Sequence, residues 1–269
     1  MWAIALLLGG YMFNSFCKKE GLDQKIADSI FIYGTLATII GARVGHCLFY
    51  EPSYYLAKPW AIITEIRDGG MASHGAAIGL LIGLWLFSRK NKMPYIWSLD
   101  RIMIPVGIGG AIVRLGNLFN SEIIGNVTDV PWGFKFVRLY PNLPIEAVPV
   151  QHPTQLYEAL CYIVTFVILA YMYYAKDMGR RRPGVLFGVG LEGIFLTRFI
   201  IEFIKIEQVD FEKGMMLDMG QILSIPFIVL GIYMIYRGFA KPAKEVVTVQ
   251  AAANPDTKHK SHKKKTAKW

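Results

Sequence analysis

Seven long apolar stretches constrain this chain more than any other feature of its sequence. They cover residues 1–16, 30–50, 70–87, 102–119, 156–175, 184–204 and 217–236. A helix needs about 20 apolar residues to cross the hydrocarbon core of a bilayer. Only 18% of the residues are charged, against about 25% in soluble domains. The sequence therefore predicts an all-α integral membrane protein with seven transmembrane helices, and it excludes a disordered chain, a coiled coil and a disulfide scaffold.

The basic residues between these stretches predict the orientation in the membrane. Alternate segments on one side carry 20 Lys and Arg residues, and the segments on the other side carry six. Because basic loops stay in the cytoplasm, we expect the N-terminus outside and the C-terminus in the cytoplasm. The 120–155 connection has turn residues and aromatics, and is predicted to form a small periplasmic cap on a membrane catalytic domain of residues 1–236.

The net charge of +9 lies mostly in residues 237–269, which carry nine Lys and Arg residues against Glu245 and Asp256. We expect this segment to be a disordered cytoplasmic tail that anchors the topology and contacts anionic lipid. The placement of the charge argues against nucleic acid as a partner. Lys18 and Lys19 follow the first apolar stretch instead of preceding it, so a retained helix is favoured over a cleaved signal peptide.

Arg43, Arg114, Arg198 and His74 lie inside the apolar stretches, where charge is costly. Arg43, Arg114 and Arg198 each cost at least about 2.5–3.5 kcal/mol to insert. With the predicted orientation and helical rise, these arginines and His74 all lie about 6 to 10 Å below the outer surface. Charged side chains inside a membrane usually mark a functional site, so this layer is the candidate site.

Several guanidinium groups in one layer favour an anion, and phosphate is the natural partner because guanidinium can bind it in a bidentate manner. At this depth the anion is most simply a phospholipid headgroup. The alternative is that each arginine pairs with a carboxylate, and the i,i+4 spacing of Arg198 and Glu202 predicts one such pair. Arg43 and Arg114 have no acidic residue three or four positions away. Asn117 shares the helix face of Arg114.

Other polar residues near these stretches allow two interpretations. Asn120 and Glu122 follow the fourth apolar stretch, where they could line the site or cap the helix. Asp100 precedes that stretch and could be an interfacial cap. His152 precedes the fifth stretch, and a capping role is as compatible with its position as a catalytic one.

Five segments resemble motifs of the bacterial prolipoprotein diacylglyceryl transferase family. They read GARVG at 41–45, DGGMASHG at 68–75, RLGNLFNSEIIG at 114–125, HPTQLYE at 152–158 and RFIIEF at 198–203. The motifs occur in the family order and extend over nearly the whole chain. The family usually has a Tyr-Gly pair in its first span, and Met1 stands just after that position, so we expect the natural start to lie upstream.

The resemblance implies an inner-membrane enzyme that moves the diacylglyceryl group of phosphatidylglycerol onto the lipobox cysteine of a prolipoprotein. It implies a thioether product, glycerol 1-phosphate as the by-product, and no cofactor or metal. A cysteine thiol needs a base or a positive field to form the thiolate. The expected site consists of catalytic His74 (the base), Arg114 and Arg198; substrate-binding Arg43, Asn117, Asn120, Glu122 and Gly125; and supporting Asp100, Glu202 and His152.

Two other classes of function fit the buried arginines. A small-anion transporter would need a polar path through both leaflets, and the clustering of the arginines in the outer leaflet argues against it. A lipid-binding membrane protein without catalysis would need the anion site but not His74. Transfer of the diacylglyceryl group to a lipobox peptide distinguishes these functions.

Overall fold

Helices form most of the chain in the computed structural model, which describes residues 1–49, 52–65, 70, 72–206, 216–240 and 242–243, without the side chains of Phe49, Ser73 and His74. In chain order the helices are α1 (Trp2–Glu20), α2 (Gln24–Phe49), α3 (Pro52–Ala57), α4 (Ala61–Thr64), α5 (Ser73–Asn91), α6 (Tyr95–Asn120), α7 (Thr154–Tyr174), α8 (Met178–Arg181), α9 (Val185–Leu191), α10 (Thr197–Glu202) and α11 (Met219–Ala240). A π-helical turn (Glu192–Leu196) joins α9 to α10.

Four helices are long and apolar enough to cross a membrane when only the described ranges are counted. They are α2 (over residues 24–48), α6, α7 and α11. Helices α1 and α5, with 19 residues each, occupy the first and third predicted stretches. The sixth stretch is occupied by α9, the π-helical turn and α10. The fold is thus mostly helical, as expected for an all-α membrane protein, while the seven crossings and their orientation stay predictions.

Helix α6 begins seven residues before the predicted stretch, at Tyr95 instead of residue 102. The predicted stretch begins only after the charged pair Asp100 and Arg101, but both of these side chains are buried. Arg101 donates to Glu20 through Nε (3.0 Å) and Nη2 (2.9 Å), and to the carbonyl oxygen of Gly179. A hydropathy pattern cannot reveal such a pairing, so it places the beginning of the helix too late.

The carboxylate of Glu20 connects three helices at this end of the molecule. The Tyr173 hydroxyl donates to Oε1 (2.7 Å), and the Trp97 indole donates to Oε2 (2.7 Å). Together with the bonds from Arg101, these contacts fasten the end of α1 to α6 and α7. A buried charge is tolerated only when it is paired and hydrogen-bonded in this way.

Asp100 caps a different helix from the one expected. Its carboxylate accepts hydrogen bonds from the backbone N–H groups of Gly184 (2.7 Å) and Phe187 (2.9 Å), at the start of α9. The first N–H groups of a helix have no partner within the helix, and a carboxylate satisfies them well. Asp100 therefore fixes the beginning of the helical segment that carries Arg198.

Helices α2 and α5 approach closely through glycines. A side chain at Gly45 would meet the Cα of Gly75 at 2.6 Å, and one at Gly79 would meet the Cα of Gly41 at 2.8 Å. Small residues spaced four apart allow transmembrane helices to make this kind of contact. These glycines therefore serve the packing of α2 against α5.

The connection between α6 and α7 is folded. Strands β1 (Phe134–Lys135) and β2 (Val150–Gln151) pair antiparallel, and two 3-10 turns, Val137–Leu139 and Ile145–Ala147, lie between them. Residues 124–126 also pair with residues 204–206, through the bridge between Gly125 and Lys205. The cap is thereby attached to the chain that follows α10.

The glycine contact predicts opposite effects for the same substitution at two positions. Gly79→Ala should lower Tm by roughly 5 °C, because the new Cβ strikes the Ala37 carbonyl oxygen and the Gly41 backbone, and overpacking typically costs about 1–3 kcal/mol. Gly34→Ala is the matched control, since its Cβ would meet only Leu80 Cδ1 at 3.6 Å and alanine favours helices. Thermal unfolding in detergent measures both, and equal Tm values would contradict the packing account.

Candidate active site

Arg114 has an acidic partner on a different helix. Its Nε lies 2.8 Å from Oε2 of Glu158, which is fully buried on α7. No acidic residue lies three or four positions from Arg114 in the sequence, and its partner comes from another part of the chain. The pair ties the C-terminal half of α6 to the first turns of α7.

The same glutamate also contacts a lysine just beyond α10. Lys205 Nζ donates to Glu158 Oε1 at 3.0 Å and to Glu202 Oε2 at 2.8 Å. Only 2% of the Lys205 side chain is exposed. This lysine therefore bridges two buried carboxylates that belong to two different helices.

Arg198 is held more loosely than its neighbours. Its Nε lies 3.9 Å from Glu202 Oε2, so the predicted i,i+4 ion pair exists but is too long for a hydrogen bond. Nε is buried and has no hydrogen-bond partner among the described residues. Tyr162 lies within electrostatic reach of both Arg114 and Arg198. Arg198 thus keeps an unused donor inside the cluster.

These five side chains form what we call the cation cluster: Arg114, Arg198, Lys205, Glu158 and Glu202. Within these five described side chains, three cations face two carboxylates, which is a surplus of one positive charge. Burying a charge without a counterion is costly. The cluster is therefore suited to a ligand that carries one negative charge, such as a phosphodiester.

A second chain of hydrogen bonds runs from Arg114 to the start of the cap. Arg114 Nη1 makes a long contact of 3.5 Å with Asn117 Oδ1, and Asn117 Nδ2 donates to Glu122 Oε2 at 2.6 Å. Asn120 Nδ2 donates to the other oxygen of Glu122 at 3.2 Å. Ser121, with a positive φ of 59°, ends the helix. Both asparagines therefore donate to the carboxylate of Glu122 beside the cation cluster.

Gly125 occupies a position that leaves no room for a side chain. A Cβ there would meet His152 Cβ at 2.6 Å and the His152 carbonyl oxygen at 2.8 Å. The backbone N–H of Gly125 donates to that carbonyl oxygen at 3.0 Å, and the residue forms the bridge to Lys205. This close approach explains the glycine and joins the cap to the cation cluster.

Arg43 is buried on α2, where its guanidinium group donates hydrogen bonds to backbone carbonyl oxygens of α4. Its Nε donates to the Ile62 carbonyl oxygen at 2.8 Å, and Nη2 donates to that of Ala61 at 3.0 Å. The guanidinium also lies 5.1 Å from the centre of the Tyr55 ring. These contacts brace the short helix α4, and the expected role of Arg43 in substrate binding stays a prediction.

The remaining predicted residues lie in three different settings. His74 is the second residue of α5, and its side chain lies outside the described residues. His152 Nδ1 lies 3.1 Å from the Tyr157 hydroxyl, so its ring does not cap α7. Asp100 contacts the start of α9.

In the described part of the chain, no group of three His, Cys, Asp or Glu side chains could hold a metal ion.

The sequence interpretation missed Glu158 and Lys205. By sequence position alone, Lys205 is one of the loop residues that indicate the orientation, and Glu158 belongs to the HPTQLYE motif without an assigned role. The available signal was a carboxylate, Glu158, at the apolar start of the fifth stretch. Its pairing with Arg114 and Lys205 depends on which helices are neighbours, and only the fold shows that.

Comparison with known proteins identifies the family. The profile described as prolipoprotein diacylglyceryl transferase matches residues 1–237. A phosphatidylglycerol–prolipoprotein diacylglyceryl transferase of Porphyromonas gingivalis is 46% identical over 248 residues, covering 88% of this chain and 86% of the relative. Enzymes of the same name from Bacteroides fragilis (42% over 258 residues, 91% and 90%) and Chloroherpeton thalassium (41% over 237 residues, 88% and 85%) are also similar. This chain belongs to the prolipoprotein diacylglyceryl transferase family.

Proposed function

We propose that this chain transfers the diacylglyceryl group of phosphatidylglycerol to the lipobox cysteine thiol of a prolipoprotein and releases glycerol 1-phosphate. Family membership and the names of the relatives support the reaction over an anion transporter or a non-catalytic lipid-binding protein. The structural observation that carries the proposal is the cation cluster, with its one surplus positive charge among apolar helices.

We also propose that seven segments cross the inner membrane, with the N-terminus and the cap in the periplasm and the C-terminus in the cytoplasm. The alternation of basic residues supports this orientation. Large apolar side chains such as Leu36, Leu160 and Val229 are exposed on α2, α7 and α11, as expected for surfaces that face lipid. Because the cap and the cation cluster adjoin, the active site lies near the periplasmic side.

The headgroup phosphate binds between Arg114 and Arg198. A phosphodiester carries one negative charge, which balances the surplus of the cation cluster. Arg198 contributes the donor that has no hydrogen-bond partner among the described residues, and guanidinium suits the oxygens of phosphate. Asn117, Asn120 and Glu122 line the approach to Arg114 and offer hydrogen-bond partners to the glycerol hydroxyl groups.

The chemical step is a displacement at carbon. His74 accepts the thiol proton. The thiolate sulfur attacks the carbon of the diacylglyceryl group that bears the phosphate ester. The carbon–oxygen bond breaks, and its electron pair leaves with the phosphate oxygen, so the leaving group gains a second negative charge. Fixed cations stabilise charge that develops in a transition state. This is the role of Arg114 and Arg198.

A mass measurement tests the proposal. Purified protein is incubated with phosphatidylglycerol and a synthetic lipobox peptide, and the peptide is examined for the mass of one diacylglyceryl group on its cysteine. The account predicts this gain together with an equal amount of glycerol 1-phosphate. A peptide whose cysteine is replaced by serine is the control. If folded protein supplied with phosphatidylglycerol adds no mass to the peptide, the proposed function is contradicted.

Replacing the proposed base should stop transfer without unfolding the protein. We expect His74→Ala to have no detectable activity, because a neutral thiol is a weak nucleophile, while its Tm stays near that of the unmodified protein. His259→Ala, in the basic tail, is the matched control and should retain full activity. Robust transfer by a well-expressed His74→Ala variant would refute the assignment of the base.

Replacing either arginine with a neutral residue of similar shape should slow the chemical step. We expect Arg114→Gln and Arg198→Gln to lower kcat by about 100-fold or more, the usual effect of removing a donor to developing negative charge. Arg138→Gln is the control, because Arg138 is exposed on the cap and donates to the Phe119 carbonyl oxygen. Steady-state rates at saturating lipid measure the effect, and near-normal kcat values would contradict it.

A further inference from the structure

We propose that Lys205 is a positioning residue that keeps the two site arginines available for the headgroup phosphate. Its ammonium group donates hydrogen bonds to Glu158 and Glu202. Without the lysine, these two carboxylates would neutralise Arg114 and Arg198. This inference rests on the proposed function, since it names how the same site retains its affinity for an anionic lipid.

The distances show which cation each carboxylate favours. Glu202 Oε2 is 2.8 Å from Lys205 Nζ but 3.9 Å from Arg198 Nε, although Arg198 is on the same helix face one turn earlier. An N–H···O hydrogen bond needs about 2.7–3.2 Å. Glu202 is therefore hydrogen-bonded to the lysine and only electrostatically paired with the arginine.

Glu158 is shared in a similar way. Its Oε1 accepts from Lys205 at 3.0 Å, while its Oε2 contacts Arg114 Nε at 2.8 Å. That second contact is close but poorly aligned, because Oε2 accepts no hydrogen bond from the described residues. Lys205 thus holds one oxygen of each carboxylate, and each arginine is left with donor capacity.

The charge balance depends on this lysine. Arg114 and Arg198 alone would be neutralised by the two glutamates, and a bound phosphodiester would then make the buried site negative. With Lys205 present, the surplus is one positive charge, and the bound lipid makes the site neutral. Uncompensated charge is unfavourable in a poorly hydrated site, so removal of the lysine charge should weaken lipid binding.

The backbone fixes Lys205 in this position. The residue pairs with Gly125 in an antiparallel bridge, and its N–H donates to the Glu202 carbonyl oxygen at 3.1 Å. On either side, Asn126 and Ile206 make backbone hydrogen bonds between the same two segments. The position of the lysine backbone is therefore set by pairing between the cap and the chain after α10, and not by the flexible side chain alone.

The test compares Lys205→Met with Lys205→Arg and with the control Lys135→Met, which removes a charge from the exposed surface of the cap. Initial rates are measured with a lipobox peptide while the fraction of phosphatidylglycerol in mixed micelles is varied. For Lys205→Met we expect KM for the lipid to rise by roughly tenfold or more, with a smaller change in kcat, because one unit charge is lost near the phosphate. Lys205→Arg and Lys135→Met should stay within about threefold of the original KM by the same estimate.

A double variant separates a charge effect from a purely structural one. Lys205→Met combined with Glu202→Gln restores one surplus positive charge, so it should retain more phosphatidylglycerol than Lys205→Met when retained lipid is counted by native mass spectrometry. If Lys205→Met does not fold, the double variant is compared directly with the unmodified protein and should retain a similar amount of lipid. Loss of lipid from a folded double variant, or an unchanged KM in folded Lys205→Met, would overturn the proposal.

Lipid retention also keeps the two proposals distinct. Should the unmodified protein retain phosphatidylglycerol yet transfer nothing to the peptide, the proposed function would fail, and the retention measurements would still decide the role of Lys205. Normal transfer by folded Lys205→Met with an unchanged KM would overturn the role of the lysine and leave the proposed function intact.

Discussion

The buried carboxylate of Glu158, held between Arg114 and Lys205, is the interaction on which the site depends. It joins α6, α7 and the chain after α10 at one point. A buried ion pair gains little net stability, since desolvation offsets most of the attraction, but removal of one partner from such a pair costs about 3–5 kcal/mol. We infer that the pairing is retained for the arrangement of charge it produces, in which three cations share two carboxylates.

The opposite end of the molecule holds the helices that carry this arrangement. Glu20 fastens α1 to α6 and α7, and Asp100 caps α9. Helix α6 extends from this network to Arg114, and the segment that begins at the Asp100 cap extends to Arg198. Both arginines are therefore placed by helices that are anchored at their far ends, and a change at Asp100 would act on the site through the direction of the helix.

Much of the fold was predictable, because apolar length and i,i+4 pairs are local in sequence. The seven apolar stretches coincide with helical segments, and the ion pair between Arg198 and Glu202 is present. The start of α6, the partner of Arg114 and the place of Lys205 were not predictable in this way. Each depends on a contact between residues far apart in the chain, and a charged residue looks the same in a sequence whether water or another charge satisfies it.

The most direct measurement is a structure of the protein with phosphatidylglycerol bound, determined in a lipid nanodisc, which locates the phosphorus atom of the headgroup. The account predicts phosphate oxygens within hydrogen-bond distance of both Arg114 and Arg198, with Lys205 still bonded to the two glutamates. A phosphate bound at Arg43 instead, or arginines that remain paired only with Glu158 and Glu202 while lipid is bound elsewhere, would contradict the central claim.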